Sequence, residues 1–286
     1  MKRYLTFIGS VVVGATLALA GGATPAFATG CDDDCGGVPD FTLADGNATV
    51  DYGSGGMHNW VVDDVDHLFL QDFWVRVGDE YREQQVSSLH YVGGLATNTN
   101  IGDDRLDTLN VVYSGLGLEI DLTYVLRGGA DGSQGSDLTE AILVRNTSDR
   151  ARDVSFFQYS DFDLGGTAGN DTAQLVNANT VRQTDPTTVF NETVVTPAAD
   201  LWEIAFYRDT FDRLTDGDAD NLGNAESPLT GDVTWAFQWD FLLNPGQTFL
   251  ISKDKNIGAV PEPSTVLLMG TGLIALALWR RRAVAA

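Results

Sequence analysis

Cysteine is nearly absent from this chain, and basic residues are few beside acidic ones. Cys31 and Cys35, in CDDDC, are suited to one small local disulfide in an oxidising compartment or to a bond with another molecule. With no histidine nearby they make a poor metal pair. The three histidines, His58, His67 and His90, stand at no metal-ligand spacing; His67, in Asp63-Asp64-Val65-Asp66-His67, could assist a metal, but a lone surface histidine is the commoner reading of that pattern. Serine nucleophile elbows, phosphate-binding loops and paired CxxC motifs are missing, which removes the common enzyme signatures. Internal repeats and Pro- or Ser-rich linkers are missing too, which leaves one domain in the body.

What is present is acid. Setting aside the two end segments, residues 29–259 carry 12 Lys and Arg against 39 Asp and Glu, a net charge of −27. Such a surface repels nucleic acid and anionic lipid, suits cations and keeps an exported protein soluble. Much of the acid falls in Asp-Gly, Asp-Asn and Asp-Asp pairs, which also serve as ordinary turn residues between strands.

The ends differ from the body. Lys2 and Arg3 precede an apolar stretch from Tyr4 to Ala20, and Ala26-Phe27-Ala28 is a small-x-small signal-peptidase site. Residues 1–28 are therefore expected to be a signal peptide. A lipoprotein box ending at Cys31 would need to sit directly behind the apolar run, which it does not. At the other end, Thr265 to Trp279 is uncharged, and as a helix would reach about 22 Å, short for a bilayer core of about 30 Å. Snorkelling of Arg280, Arg281 and Arg282 extends that reach and places this end on the cytoplasmic side.

Pro261-Glu262-Pro263-Ser264, the short apolar helix and the arginine cluster together resemble the sorting tail of PEP-CTERM exported proteins. The resemblance implies processing near Pro261, Glu262 and Pro263 by a membrane-embedded exosortase. It also implies transient anchoring in the inner membrane, then release to the cell surface or extracellular matrix of a Gram-negative, polysaccharide-producing cell. The two prolines keep the backbone extended, so the segment around Glu262 stays out of the helix that follows. Three segments result: signal peptide 1–28, acidic body 29–259 and sorting signal 260–286.

Period-two alternation marks the body as all-β. Leu118, Ile120, Leu122, Tyr124 and Leu126 share one face of a half-buried strand, and Val233, Trp235, Phe237, Trp239 and Phe241 share one face of another. Asn244-Pro245-Gly246 then turns the chain towards Thr248 to Ser252, which reads as a C-terminal hairpin. Similar runs occur at Phe69 to Val77, Leu109 to Tyr113, Glu140 to Arg145, Val154 to Phe162, Ala173 to Arg182 and Val189 to Val195. A β-sandwich follows, supersandwich-like by analogy with carbohydrate-active proteins at the level of fold alone. One short helix is expected from about Asp209.

Candidate chemistry is sparse. Asp161 and Asp163 in QYSDFD share a strand face about 7 Å apart, a spacing compatible with calcium, with an inverting glycosidase pair about 6.5 to 9.5 Å apart, or with plain solvation. Asp216, Asp218 and Asp220 open like a calcium loop, but Asn221 stands where a glycine belongs and Ser227 where the bidentate glutamate belongs. Glu226 is one position early. Among five tryptophans of the body, Trp60 lies in turn-like GGMHNW and is the expected glycan-stacking ring, whereas Trp235 and Trp239 are expected in the core. YSDFDLGGT and TWAFQWDFLLNPGQTFLISKDK also resemble stretches of other PEP-CTERM exported domains that carry no assigned activity. The expectation is a non-enzymatic exported protein, stabilised by calcium and associated with exopolysaccharide. A glycoside hydrolase or epimerase-like enzyme using Asp161 and Asp163 is the alternative. Signal peptidase and exosortase are the expected partners during export, nucleic acid is not one, and the membrane is met only through the C-terminal helix.

Overall fold

The structure is a computed structural model, and it describes residues 26–27, 38–78, 82–224 and 227–260. Two antiparallel sheets pack face to face. The ten-stranded sheet runs, edge to edge, Ala26–Phe27, His90–Thr97, Thr108–Gly115, Leu118–Gly128, Ser136–Asn146, Thr248–Ala259, Thr188–Thr196, Thr180–Thr184, Asp171–Asn177 and Leu229–Gly231. The other runs Leu201–Phe206, Val233–Leu243, Arg152–Phe162, Leu68–Val77, Gly56–Val62, Ala48–Gly53 and Phe41–Asp45, with Val65–Asp66 and Gln84–Gln85 paired at its side. The β-sandwich expected from alternation is what the chain forms.

Alternation is kept strictly in the strand Leu118–Gly128 of the ten-stranded sheet, where every even residue from Leu118 to Leu126 is buried and each odd neighbour less so. Three central strands of the opposite sheet break the rule. Trp74, Phe157, Tyr159 and Ala236 point away from the sandwich yet are buried under Leu214 and Leu222, from the helix Asp209–Thr215 and the loop that follows it. The short helix near Asp209 thus lids the outer face of that sheet. Trp235 and Trp239 lie in the main core, as alternation predicts.

The expected C-terminal hairpin does not form. Val233–Leu243 pairs with Arg152–Phe162 and Leu201–Phe206, whereas Thr248–Ala259 pairs with Ser136–Asn146 and Thr188–Thr196 in the other sheet. Both strands carry a dense apolar face, and joining separate sheets lets the faces meet across the core. Phe241 and Phe249 stack at 3.8 Å between centroids on either side of the turn. Asn146 holds the crossing in place: its Nδ2 donates to Leu243 O at 2.9 Å, and its backbone exchanges bonds with Gly246 and Gln247. The run from Ala173 to Arg182 is likewise two strands, Asp171–Asn177 and Thr180–Thr184, turned at residues 178–179.

Candidate carboxylate site

Asp161 is the penultimate residue of the strand Arg152–Phe162 and is 2% exposed. The ladder to Leu68–Val77 shifts register between Asp161 and Phe162, and the chain then leaves extended geometry at Asp163 (φ −104°, ψ 77°). Gly165 and Gly166 follow with φ of +67° and +74°, a left-handed pair that only glycine adopts easily. A Cβ on Gly165 would stand 2.5 Å from Asp185 Oδ2. This curl changes the expected spacing. Asp161 and Asp163 no longer lie about 7 Å apart along a straight strand; together with Asp232 they bring one oxygen each within 4.8 Å of one another. Asp232 comes from far along the chain, at the junction where Leu229–Gly231 of one sheet gives way to Val233–Leu243 of the other.

Two further groups adjoin the cluster. Asp171 Oδ2 accepts from Leu164 N at 3.0 Å and from Gln183 Nε2 at 2.5 Å, which pins the glycine turn. Its other oxygen, Oδ1, and Gln183 Oε1 are buried acceptors without a hydrogen-bond partner. His67 backs the turn, its Nδ1 accepting from Gly165 N at 3.1 Å and its backbone oxygen from Asp163 N at 3.0 Å.

Electrostatics set these carboxyls apart from ordinary surface acids. Burial, then the charges of Asp163 and Asp232, pushes Asp161 up to about 7. Asp171 is also pushed to about 7, by burial first and then by Asp185 and Asp163, against the hydrogen bonds from Leu164 and Gln183. Burial, Asp232 and Asp66 raise Asp163, and burial raises Asp232. Burial lowers His67 below its ordinary value, opposed by Asp185 and Asp66. Converging carboxylates that repel one another, beside orphaned oxygen acceptors, form an environment for a hard cation with oxygen ligands.

Beside Asp163 opens a groove of about 430 Å³ lined by His58, Asp66, Leu68, Phe69 and Leu70 among others. Phe69 is 54% exposed and meets the exposed ring of Tyr207 edge-on, with centroids 6.0 Å apart.

Other expected site residues lie elsewhere. Trp60 is not a surface platform. It sits inside the strand Gly56–Val62, fully buried, with its ring edge-on to Phe162 and Phe190 and its Nε1 donating to Ser136 Oγ at 3.2 Å. Two neighbouring glycines suggested a turn, but the apolar partners at Met57 and Val62 place this strand in the sheet. Asp216, Asp218 and Asp220 follow the helix and stay apart from the cluster. Asp216 and Asp218 are exposed, with Asp218 N donating to Asp216 Oδ1 at 2.8 Å. Asp220 instead ties the loop to the sheet, its backbone N–H donating to Glu83 and its carbonyl accepting from Arg76. Ala26 lies in the outermost two-residue strand. Ala28, Cys31, Cys35, Pro261, Glu262, Pro263, Glu226 and Arg280 to Arg282 fall outside the described residues, and among those that are described no helix is long and apolar enough to cross a membrane.

Asp232 and Asp171 were not singled out by sequence, because each stands alone among polar turn residues. A second feature was legible in principle: Lys253 and Lys255 are in phase with Ile251 and Ile257 on one strand face, and all four are buried.

Comparison with known proteins separates the tail from the body. Residues 259–282 match the PEP-CTERM protein-sorting motif, which marks the chain as an exported protein sorted to the cell surface and fits an exosortase substrate. No curated protein sequence matches the chain. Among solved structures, the fold is similar to a bacterial glucoamylase complexed with acarbose (TM-score 0.54, 7% identity, 81% of this chain and 33% of that one). It is also similar to a putative aldose 1-epimerase from Escherichia coli K12 (TM-score 0.50, 14% identity, 78% of this chain and 100% of that one). The chain spans about a third of the length of the glucoamylase, and at these identities the likeness is one of fold alone.

Proposed function

We propose that residues 29–259 are the mature surface or matrix protein, and that it acts by binding and not by turnover. Signal peptidase releases it behind Ala28, and exosortase processes it near Pro261, Glu262 and Pro263. Until then the C-terminal helix and Arg280 to Arg282 hold it in the inner membrane. In this reading Asp161, Asp163 and Asp232 hold calcium, and the groove beside Asp163, with Phe69 and Tyr207 at its side, associates with exopolysaccharide. The convergence of the three carboxylates within 4.8 Å carries the reading. Glycoside chemistry places two carboxyls on either side of a sugar, whereas these point at one another and at a third. Exposed rings beside a cation suit sugar, which offers apolar ring faces and hydroxyl oxygens.

Retention on a gel of the host's exopolysaccharide, with and without millimolar calcium, tests this reading. Calcium-dependent retention that is lost in Phe69→Ala while the melting temperature is kept supports it. Absence of retention, or retention indifferent to calcium, contradicts it.

A further inference from the structure

The centre of the sandwich holds an arrangement separate from the carboxylate site. Lys253 and Lys255 project from Thr248–Ala259, and Glu140 and Glu192 from the strands on either side of it; Gln71 and Gln158 project from the opposite sheet. All six are buried. Lys255 Nζ donates to Gln71 Oε1 and, at 2.8 Å, to Glu140 Oε2, while Gln71 Nε2 donates to Glu140 Oε1 at 2.9 Å. One glutamate therefore touches, with its two oxygens, both the amine and the amide nitrogen of a single Lys–Gln pair. The pattern is repeated next door. Lys253 Nζ donates to Gln158 Oε1, Gln158 Nε2 donates to Glu192 Oε1 at 2.7 Å, and that oxygen lies 3.6 Å from Lys253 Nζ.

A plain ion pair needs no primary amide against its ammonium, and no acid bridging the two nitrogens. Aminolysis of an amide needs both: a nucleophile held against a carbonyl, and a proton carrier in contact with nucleophile and leaving group. It also needs an amine that can lose its charge and a site without water to compete. Phe73, whose centroid is 4.8 Å from Lys253 Nζ, and Trp235, bonded to Glu192, wall the cluster with aromatic surface.

We propose that Lys255 and Gln71 join in the folded protein as an intramolecular amide that covalently ties the two sheets, with Glu140 carrying the proton. The Glu140 carboxylate takes one proton from the Lys255 ammonium, and the neutral Nζ attacks Gln71 Cδ. The Nζ–Cδ bond forms and the Cδ–Nε2 bond breaks. Glu140 delivers its proton to Nε2, which leaves as ammonia, and takes a second proton from Nζ, ending as a neutral acid. An ammonium and a carboxylate, both costly to bury, are replaced by a neutral amide and a neutral carboxyl, which favours the product. The bond would close a loop between residues 184 positions apart, in an exported chain with only two cysteines.

Intact-mass measurement and tryptic mapping of the folded protein, recovered from its host's surface, decide the matter. The expected mass is below the sequence mass of the processed chain by one ammonia, with a branched peptide joining the segment ending at Arg76 to the segment containing Lys255, where trypsin fails to cut. Loss of a second ammonia, mapped to Lys253 and Gln158, would extend the same chemistry to the second pair. Lys255→Arg keeps a cation in place and should restore the full sequence mass at position 71. A cooperatively folded wild-type protein at full sequence mass, with trypsin cutting after Lys255 and Gln71 in a linear peptide, overturns the proposal without recourse to any variant.

Discussion

Lys253 Nζ lies 2.5 Å from Glu140 Oε2, and neither side chain is exposed at all. Lys255 approaches the same glutamate and Glu192 the same lysine, so two bases and two acids balance at the centre of the sandwich, and once Lys255 and Gln71 are joined Lys253 and Glu192 still do. Charges taken out of water are tolerated only while each partner is present; removing one leaves the other buried and unpaired. Lys253→Met should therefore lower stability by about 3 to 5 kcal/mol, read from the shift of the denaturant midpoint. Adding Glu192→Met should recover part of that loss, because the uncompensated carboxylate goes with it. A Lys253→Met protein as stable as wild type would contradict this account of the core.

Trp60 is predicted to be structural. Truncating a buried aromatic costs roughly 3 to 5 kcal/mol, and here Phe162 and Phe190 lose a ring contact and Ser136 a donor. Trp60→Ala should unfold at a markedly lower temperature, whereas Phe69→Ala, at an exposed ring, should unfold close to wild type.

The crossing turn after Leu243 should be sensitive at a residue that is remote in sequence. Asn146 is fully buried, and its Nδ2 donates to Arg150 O at 2.6 Å and to Leu243 O at 2.9 Å. Asn146→Ala removes the Nδ2 donor from both carbonyls, of which Arg150 O keeps the Ser148 hydroxyl at 3.1 Å, at a cost of about 1 to 3 kcal/mol. Urea denaturation should show a lower midpoint with an unchanged slope.

The pH dependence has a defined sign. Asp161 and Asp171 titrate at about 7 in the folded protein, and Asp163 and Asp232 above their ordinary value. In the unfolded chain such carboxyls ionise at about 3.9. Between about 4 and 7 the folded state holds protons that the unfolded state has released, so stability without calcium falls as pH rises through that window. The loss is complete above the folded value. Asp161→Asn combined with Asp171→Asn should flatten the decline, measured as melting temperature against pH in chelator.

How far these features could be read from sequence depended on how local they are. Leu118 to Leu126 announced its strand and its face because alternation is a local property, and the tail announced export through contiguous residues. The Asn244-Pro245-Gly246 turn was visible too, but whether it closes a hairpin or crosses between sheets depends on Asn146 and on Phe249 meeting Phe241. Neither relationship is local. Trp60 misled because flanking glycines mark turns and tight strand junctions alike. Asp161 and Asp163 were recognisable, whereas Asp232 joins them only through the strand order, and a lone Asp after Gly231 has no sequence signal of its own. Lys253 and Lys255 did carry one, since two lysines in phase with Ile251 and Ile257 must either face water or find buried acids.

Calcium binding at equilibrium tests the central claim most directly. At about pH 8, above the value of about 7 for Asp161, residues 29–259 should take up a single ion saturably. Affinity should fall as pH drops below about 7, where protons compete for Asp161. Asp161→Asn and Asp232→Asn should each weaken binding at least tenfold, and Asp218→Asn should leave it unchanged. No saturable uptake, or uptake indifferent to Asp161→Asn and Asp232→Asn, would contradict the claim that these three carboxylates form a cation site.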